Sequence, residues 1–194
     1  MVVPGEKGAW FGLQATRQLS PPSTDGLTPI RAVWPPSVGP VNSLESMKRV
    51  EAARRYDLSA ERGFAFVTDP ANWSKFWPGF IRLGEASRWT ATGDTATLIT
   101  RLLGRERELT MTLTAFEPNR LVAYDSVQPG LPDASHERHF EPRGGSFVYR
   151  LVVDYEPRGG VAGLFDRILL PPAIQRVFRR TFDALEREFG RSRQ

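Results

Sequence analysis

The chain has 194 residues, 40% of them hydrophobic and 25% charged, with no cysteine and a formal net charge of +4. This composition is typical of a single globular domain, and it excludes disulfides, thiolate metal sites and a cysteine nucleophile. No apolar run approaches the roughly 18 residues of a membrane span, and the N-terminus does not resemble a signal peptide, so we predict a cytoplasmic protein without stable membrane insertion. The arginines are interleaved with acids, which indicates a solvated surface rather than a nucleic-acid site.

The first 46 residues differ in kind from the rest. They contain seven prolines, with Ser, Gly and Thr between them, and no sustained helix or strand period. Such a segment buries too little apolar area to offset its ordering entropy. We therefore expect residues 1–46 to be a disordered leader or an artefact of the assigned gene start, with the native product beginning at Met47, and residues 47–194 to form one domain.

One strand and two short helices are predicted directly after Met47. Apolar and polar residues alternate from Val50 to Leu58, as they do in a half-buried strand. Ser59 can then cap a short helix, because its hydroxyl can accept a bond from a backbone N–H of the first turn. Asp69–Pro70 begins a second short helix, with an N-cap acceptor and a proline at the first helical position. Pro78–Gly79 ends that helix.

The middle of the chain predicts an antiparallel sheet. Six strand patterns are joined by short turns rich in Gly, Pro, Asn and Asp, which favour sequential hairpins over crossovers. The clearest alternation, from Leu109 to Ala115 with a threonine at every second position, predicts a sheet with one dry face. The six predicted strands are Phe80–Trp89, Thr95–Leu103, Glu106–Phe116, Leu121–Val127, Ala134–Glu141 and Ser146–Glu156.

The end of the chain predicts a long amphipathic helix. Its apolar residues recur at steps of three and four, so that one face is suited to pack on the sheet: Ile174, Val177, Phe178, Thr181, Phe182, Leu185 and Phe189. A first helical part spans Val161–Leu170, and Pro171–Pro172 then breaks or kinks the helix. The fold class is therefore α+β, with a seven-stranded curved antiparallel sheet wrapped on the long C-terminal helix.

This order of elements resembles the START-like helix-grip superfamily, also called SRPBCC, in its polyketide cyclase/dehydrase and lipid-transport branch. The resemblance rests on turn and packing motifs and covers Val50 to about Phe189: Asp69–Trp73 leading to Trp77–Gly79, Phe116–Val122, Phe140–Ser146, and the run from Tyr155 to Leu185. It implies a deep apolar cavity between sheet and helix. The superfamily includes both carriers and enzymes, so the motifs indicate the fold and leave the chemistry open.

The register of the last hairpin decides which polar groups of its first strand face the interior. A four-residue loop over Pro142–Gly145 pairs Phe140 with Phe147, Arg138 with Tyr149 and His136 with Leu151. His136 and Arg138 then share the apolar face, because directly opposed residues lie on the same side of a sheet. A loop one residue different would put Glu137 and His139 inside instead. By the same reasoning, a turn over Glu117–Arg120 sets Leu113 opposite Tyr124.

The candidate ligand-binding residues follow from these faces and from the position of the cavity mouth that the resemblance implies. They are Trp73, Trp77, Phe80, Met111, Tyr124, His136, Arg138, Tyr149, Phe165 and Leu169. For Arg138 and His136, the alternative is that the side chains reach the sheet rim and touch only water. His136 and His139 point to opposite faces of one strand, so no metal site is predicted, and no cofactor is expected.

Three functions from different classes fit these observations. The first is non-covalent binding or carriage of a lipid-like or polycyclic small molecule, because the predicted lining is apolar with few polar groups. The alternative is an enzyme of the cyclase/dehydratase type acting on a polyketide-like substrate, in which His136 or Tyr149 moves a proton. A third alternative is a packed scaffold without a ligand, which acts through its basic last helix on a protein or membrane partner whose identity the sequence does not predict.

Overall fold

The structure is a computed structural model that describes residues 47–86, 89–102 and 104–191. The expected leader, residues 1–46, lies outside the described residues, so its disorder and its origin in the gene start stay predictions. The strands are β1 Lys48–Tyr56, β2 Phe80–Ala86, β3 Thr95–Leu102, β4 Arg105–Glu117, β5 Leu121–Val127, β6 Ala134–Arg143 and β7 Ser146–Tyr155. The helices are α1 Ala60–Thr68, α2 Trp73–Phe76, α3 Gly160–Ile168 and α4 Leu170–Arg191, with a short 3-10 turn at Pro70–Asn72.

The seven strands form one curved antiparallel sheet in the order β1-β7-β6-β5-β4-β3-β2. Strands β2 to β7 pair with their sequence neighbours, as the short turns predict, and β1 returns to pair with β7 along its whole length. Helix α4 packs across the sheet, which confirms the predicted α+β helix-grip architecture. None of the described helices is both long and apolar enough to span a bilayer.

Both short helices begin at the predicted caps. The Ser59 hydroxyl accepts the backbone N–H of Arg62 at the start of α1. The Asp69 carboxylate accepts the N–H of Ala71 at 2.9 Å, and Pro70 opens the 3-10 turn that leads into α2. These bonds satisfy N–H groups that have no partner within the helix itself.

Helix α1 approaches β7 closely because Gly63 carries no side chain. A Cβ atom at this position would lie 2.4 Å from Cζ of Phe147, well inside van der Waals contact. The short helices therefore sit directly on the sheet, where the Phe64 ring meets the rings of Phe116 and Phe140 at 5.2 and 5.1 Å.

The predicted pairing of the last hairpin is wrong by two residues, although the predicted face is right. The turn is the two-residue Gly144–Gly145, with φ angles of 53° and 82°, and Pro142 lies within β6 opposite Phe147. Positive φ at both central residues gives a tight hairpin that Gly-Gly forms without strain. Arg138 consequently pairs with Leu151 and His136 with Val153. A shift of two residues keeps every side chain on its face, so His136 and Arg138 still point inward.

A bulge in β4 preserves the predicted register of the neighbouring hairpin. Next to the turn, Glu117 pairs with Leu121, one position away from the four-residue loop assumed above. An irregularity between Leu113 and Ala115 removes that offset, so Leu113 lies opposite Tyr124 as predicted. Asn119, with φ of 63°, occupies the left-handed conformation that the shorter turn requires.

The space between the sheet and α4 is filled at one end. The second half of α4 contributes Phe182, Leu185 and Phe189, which are all at least 94% buried. The Phe189 ring contacts the rings of Tyr56 and Phe66, with centroids 5.2 and 5.4 Å apart. This aromatic cluster closes the β1 side of the interior, so any cavity must lie under the first half of α4.

Candidate functional site

A cavity of about 170 Å³ lies between the concave face of the sheet and the first half of α4. The inward residues of β3 to β7 form its floor, and α2 and the β5–β6 connection form its sides. Most of its lining is apolar, including Leu109, Leu151, Val153, Ile174, Val177 and Phe178. The floor and the roof come from distant parts of the chain, so the site depends on the closed sheet–helix architecture.

One wall of this cavity is polar. Tyr124 and Ser126 on β5 stand beside His136 and Arg138 on β6, because alternate residues of two paired strands share a face. The rings of Tyr124 and His136 are stacked with centroids 4.6 Å apart. The Ser126 hydroxyl lies 2.8 Å from Nε2 of His136. We call these four residues the polar wall.

Arg138 is the charged member of the polar wall. Its side chain is 9% exposed, and its Nη2 donates to the Tyr124 hydroxyl at 2.9 Å. The guanidinium also lies over the Trp77 ring at 4.8 Å and over the Tyr124 ring at 5.2 Å. Burial acts to lower the pKa of Arg138, but the nearby hydroxyls of Tyr124 and Tyr149 outweigh it and raise that pKa, so the group stays charged.

His136 is neutral at physiological pH in this environment. Its ring is half-buried and faces the cavity, and burial together with the charge of Arg138 lowers its pKa to about 3. The other histidine, His139, points to the opposite face, where Nε2 lies 2.7 Å from the Glu137 carboxylate. The opposite orientation of the two histidines is as the strand period predicts.

Tyr149 lies behind the polar wall. Burial raises the pKa of its phenol to about 12 although the charge of Arg138 acts in the opposite direction. Within the described residues, no group lies in hydrogen-bonding geometry with the Tyr149 hydroxyl or with Nε of Arg138, and both atoms are buried. The Arg138 guanidinium still lies close enough to the Tyr149 hydroxyl to act on its pKa through both its charge and a hydrogen bond.

Of the ten predicted ligand-binding residues, four lie in the cavity wall: Trp77, Tyr124, His136 and Arg138. Trp73, Met111 and Tyr149 are almost fully buried in the packed core, and the half-buried Phe80 lies outside the cavity lining. The Trp73 indole donates to the backbone carbonyl of Val67 at 3.1 Å, which gives this residue a structural role. Ligand contact by any of these residues stays a prediction.

Phe165 and Leu169 do not reach the cavity, because α3 is oriented with its apolar side toward solvent. Leu169 is 53% exposed, whereas Asp166 is fully buried on the inner side of α3. There the Asp166 carboxylate accepts the backbone N–H and the guanidinium of Arg158 at 2.8–3.0 Å. Hydrogen bonds from Arg158 hold the pKa of Asp166 below its usual value. This ion pair fixes the orientation of α3.

Sequence reasoning missed the roof of the cavity. The helical stripe predicts that Ile174, Val177, Phe178 and Thr181 pack on the sheet, yet all four line the cavity. The available signal was the break at Pro171–Pro172 together with the smaller residues in the first half of the stripe. The large aromatic residues Phe182 and Phe189 lie in the second half, where the interior is filled.

A second hollow, of about 330 Å³, lies on the surface between α2 and α4. Charged side chains surround it: Lys75, Arg180, Asp183 and Arg187. Such a rim suits water and counter-ions better than an apolar guest. The interior cavity is therefore the better candidate for a hydrophobic ligand.

Comparison with known protein families gives a match over nearly all of the described chain. The family described as "Polyketide cyclase / dehydrase and lipid transport" matches residues 47–190. The chain belongs to this family. The match includes the sheet, both short helices and α4, so every wall of the cavity belongs to the family fold. No curated protein matches the chain.

Several solved structures share this fold at low sequence identity. The Zhui aromatase/cyclase from Streptomyces sp. R1128 is 18% identical, with a TM-score of 0.66 over 76% of this chain and 96% of that one. A protein from Thermus thermophilus is 15% identical, with a TM-score of 0.63 over 76% and 100%. A START superfamily protein from Mycobacterium smegmatis is 13% identical, with a TM-score of 0.61 over 74% and 97%. At these identities the likeness supports the fold alone.

Proposed function

We propose that this family member binds or carries a hydrophobic small molecule non-covalently in the cavity under α4, in the cytoplasm. The observation that supports it most is the cavity itself, which is mostly apolar and has one polar wall. Ligand pockets usually combine apolar surface, which supplies affinity, with a few polar groups that orient the ligand. A lipid-like or polycyclic compound with one polar end fits this distribution.

The cavity volume limits the size of the part that is buried. At about 170 Å³, the cavity is smaller than the roughly 300–1,000 Å³ of pockets that enclose a drug-sized molecule. An engineered cavity of about 150 Å³ in another protein holds one benzene ring. A ligand with one or two rings or a short acyl chain fits here, and a longer one extends between α2 and the β5–β6 connection.

The protonation states at the polar wall favour binding over proton transfer. A general acid or base works best when its pKa lies near the working pH. The pKa of His136 is lowered to about 3 and that of Tyr149 is raised to about 12, while Arg138 stays charged. At pH 7 these groups therefore orient a ligand, and none of them exchanges a proton readily.

Titration with N-phenyl-1-naphthylamine, a neutral dye that fluoresces in apolar surroundings, tests this function. We expect saturable fluorescence with the wild type. The variant Ala173→Phe fills the cavity from α4 and should weaken dye binding at least tenfold. The matched control Ala53→Phe places the same ring on the exposed outer face of β1 and should bind as the wild type does. Absence of saturable binding, or equal binding by Ala173→Phe, would contradict the proposal.

The second candidate is an enzyme of the cyclase/dehydratase type. The contact of 2.8 Å between the Ser126 hydroxyl and Nε2 of His136 supports it, since such a pair can relay a proton. One protein of similar fold, from Streptomyces sp. R1128, is an aromatase/cyclase. Its test is whether the protein accelerates aldol cyclisation of a linear β-polyketone, followed by the absorbance of the aromatic product. Acceleration that is lost in His136→Phe would favour the enzyme, and a rate equal to buffer would exclude it for that substrate.

A further inference from the structure

Arg138 is a buried cation that no carboxylate of the described residues neutralises. The largest interactions that raise its pKa come from the hydroxyls of Tyr124 and Tyr149. The acids beside it on β6 and on the neighbouring β5 have other partners: Glu137 contacts His139, and Asp125 accepts from Ser135. A charge that is buried away from water is normally paired with an opposite charge.

Aromatic rings compensate this cation only in part. The guanidinium lies 4.8 Å from the Trp77 ring centroid and 5.2 Å from that of Tyr124, within the range of cation–π attraction. These contacts hold the side chain in place at the cavity wall. They do not satisfy its N–H groups, because a ring face attracts the charge without replacing the hydrogen bonds lost from water.

Two buried donors in the cavity lining lack an acceptor in hydrogen-bonding geometry within the described residues: Nε of Arg138 and Nε2 of Gln128. The Tyr149 hydroxyl lies behind the polar wall and is close enough to interact with Arg138. Native interiors leave few polar groups unsatisfied, and each such group calls for a physical reason. Tyr124 adds a further donor, because its hydroxyl already accepts from Arg138 and can give its own proton to a third group. The polar wall thus offers positive charge and several donors at one place.

We infer that the ligand of this cavity carries a carboxylate that pairs with Arg138. The inference rests on the proposed function and specifies the class of ligand as a hydrophobic acid. Carboxylate and guanidinium form charge-assisted hydrogen bonds, which are shorter and stronger than bonds between neutral groups. The apolar part of the acid lies against the floor and roof residues, such as Leu151 and Ile174, and the acid group lies at the polar wall.

The test compares acids with their uncharged methyl esters by displacement of bound N-phenyl-1-naphthylamine. Two matched pairs cover both ligand shapes: laurate with methyl laurate, and 2-naphthoate with methyl 2-naphthoate. For at least one pair we expect the acid to displace the dye at a concentration at least about tenfold lower than its ester, as a charge-assisted bond implies. Equal displacement by acid and ester in both pairs overturns the inference while the proposed function stands. Failure of the wild type to bind the dye at all defeats the proposed function first.

Two arginine variants test whether Arg138 causes the preference for the acid over its ester. Arg138→Met keeps the length of the side chain without the charge and should lose the preference for the acid while keeping the affinity for the ester. The matched control Arg120→Met removes an exposed arginine at the β4–β5 turn and should keep the preference. Retention of the preference in Arg138→Met would place the anion elsewhere. If that variant does not fold, the comparison of acid and ester in the wild type still decides the inference.

Discussion

Phe182 is the residue through which the packing of α4 on the sheet can be tested most cleanly. Its side chain is 3% exposed, its ring meets the Tyr149 ring edge-on at 6.1 Å, and the Arg54 guanidinium lies 5.4 Å from the ring centre. The Tyr56 hydroxyl donates to the backbone carbonyl of Phe182 at 3.0 Å. That bond survives truncation of the side chain, so Phe182→Ala removes packing and leaves the local hydrogen bond in place.

The expected loss follows from the size of the buried ring. Truncation of a fully buried phenylalanine to alanine typically costs about 3–5 kcal/mol, from lost apolar burial and the remaining cavity. For a chain of this length, that corresponds to a decrease of roughly 10 °C in melting temperature. Arg54 should add little to the loss, because Asp183 and Glu186 still hold it at 2.7 and 3.0 Å at the surface.

Urea unfolding followed by far-ultraviolet circular dichroism measures this loss directly. The control Leu169→Ala changes a side chain that is 53% exposed and should stay within about 0.5 kcal/mol of the wild type. A loss below about 1 kcal/mol for Phe182→Ala would show that this face of α4 is not packed on the sheet, and the roof of the cavity would then be assigned wrongly.

Two further perturbations have defined outcomes. Because the pKa of His136 falls from 6.5 to about 3 on folding, the stability due to neutral His136 is present above pH 6.5 and lost as pH falls toward 3. Between pH 6.5 and 4, His136→Gln should therefore lose about 3 kcal/mol less unfolding free energy than the wild type in urea unfolding, and parallel pH curves would refute this. Asp166→Ala should cost about 2–3 kcal/mol and speed amide hydrogen exchange in α3, whereas the exposed control Asp125→Ala should do neither.

Local sequence signals predicted most of the secondary structure. Ser59 and Asp69 cap the helices that they were expected to cap, and the strands begin and end within one or two residues of their predicted bounds, apart from the end of β2. These features depend on residues that are close together in the sequence, so the local residue pattern is enough to predict them. The pairing of the last hairpin is missed because Pro142 reads as a loop residue, whereas in the fold it continues β6 and only Gly144–Gly145 turn.

The candidate site was predicted only where strand alternation decides orientation. Tyr124, His136 and Arg138 share the inward face for this reason, and a pairing error of two residues leaves that face unchanged. The position of the cavity along α4 depends on which interior residues fill the space. The apolar stripe of the helix has the same period over a filled interior and over a cavity, so it could not predict this position. The orientation of α3 could not be predicted for a similar reason, since its buried side carries Asp166, which pairs with Arg158, and not its apolar residues.

The most direct measurement of the central claim is the location of a bound hydrophobic molecule on the protein. Isotope-filtered nuclear Overhauser spectra of the protein with N-phenyl-1-naphthylamine can distinguish the cavity from the exposed apolar side of α3. We predict contacts from the dye to the methyl groups of Leu151, Val153 and Ile174, which line the cavity. Contacts confined to Leu164 and Ile168, which are 60% and 58% exposed on α3, would contradict a ligand site between the sheet and α4.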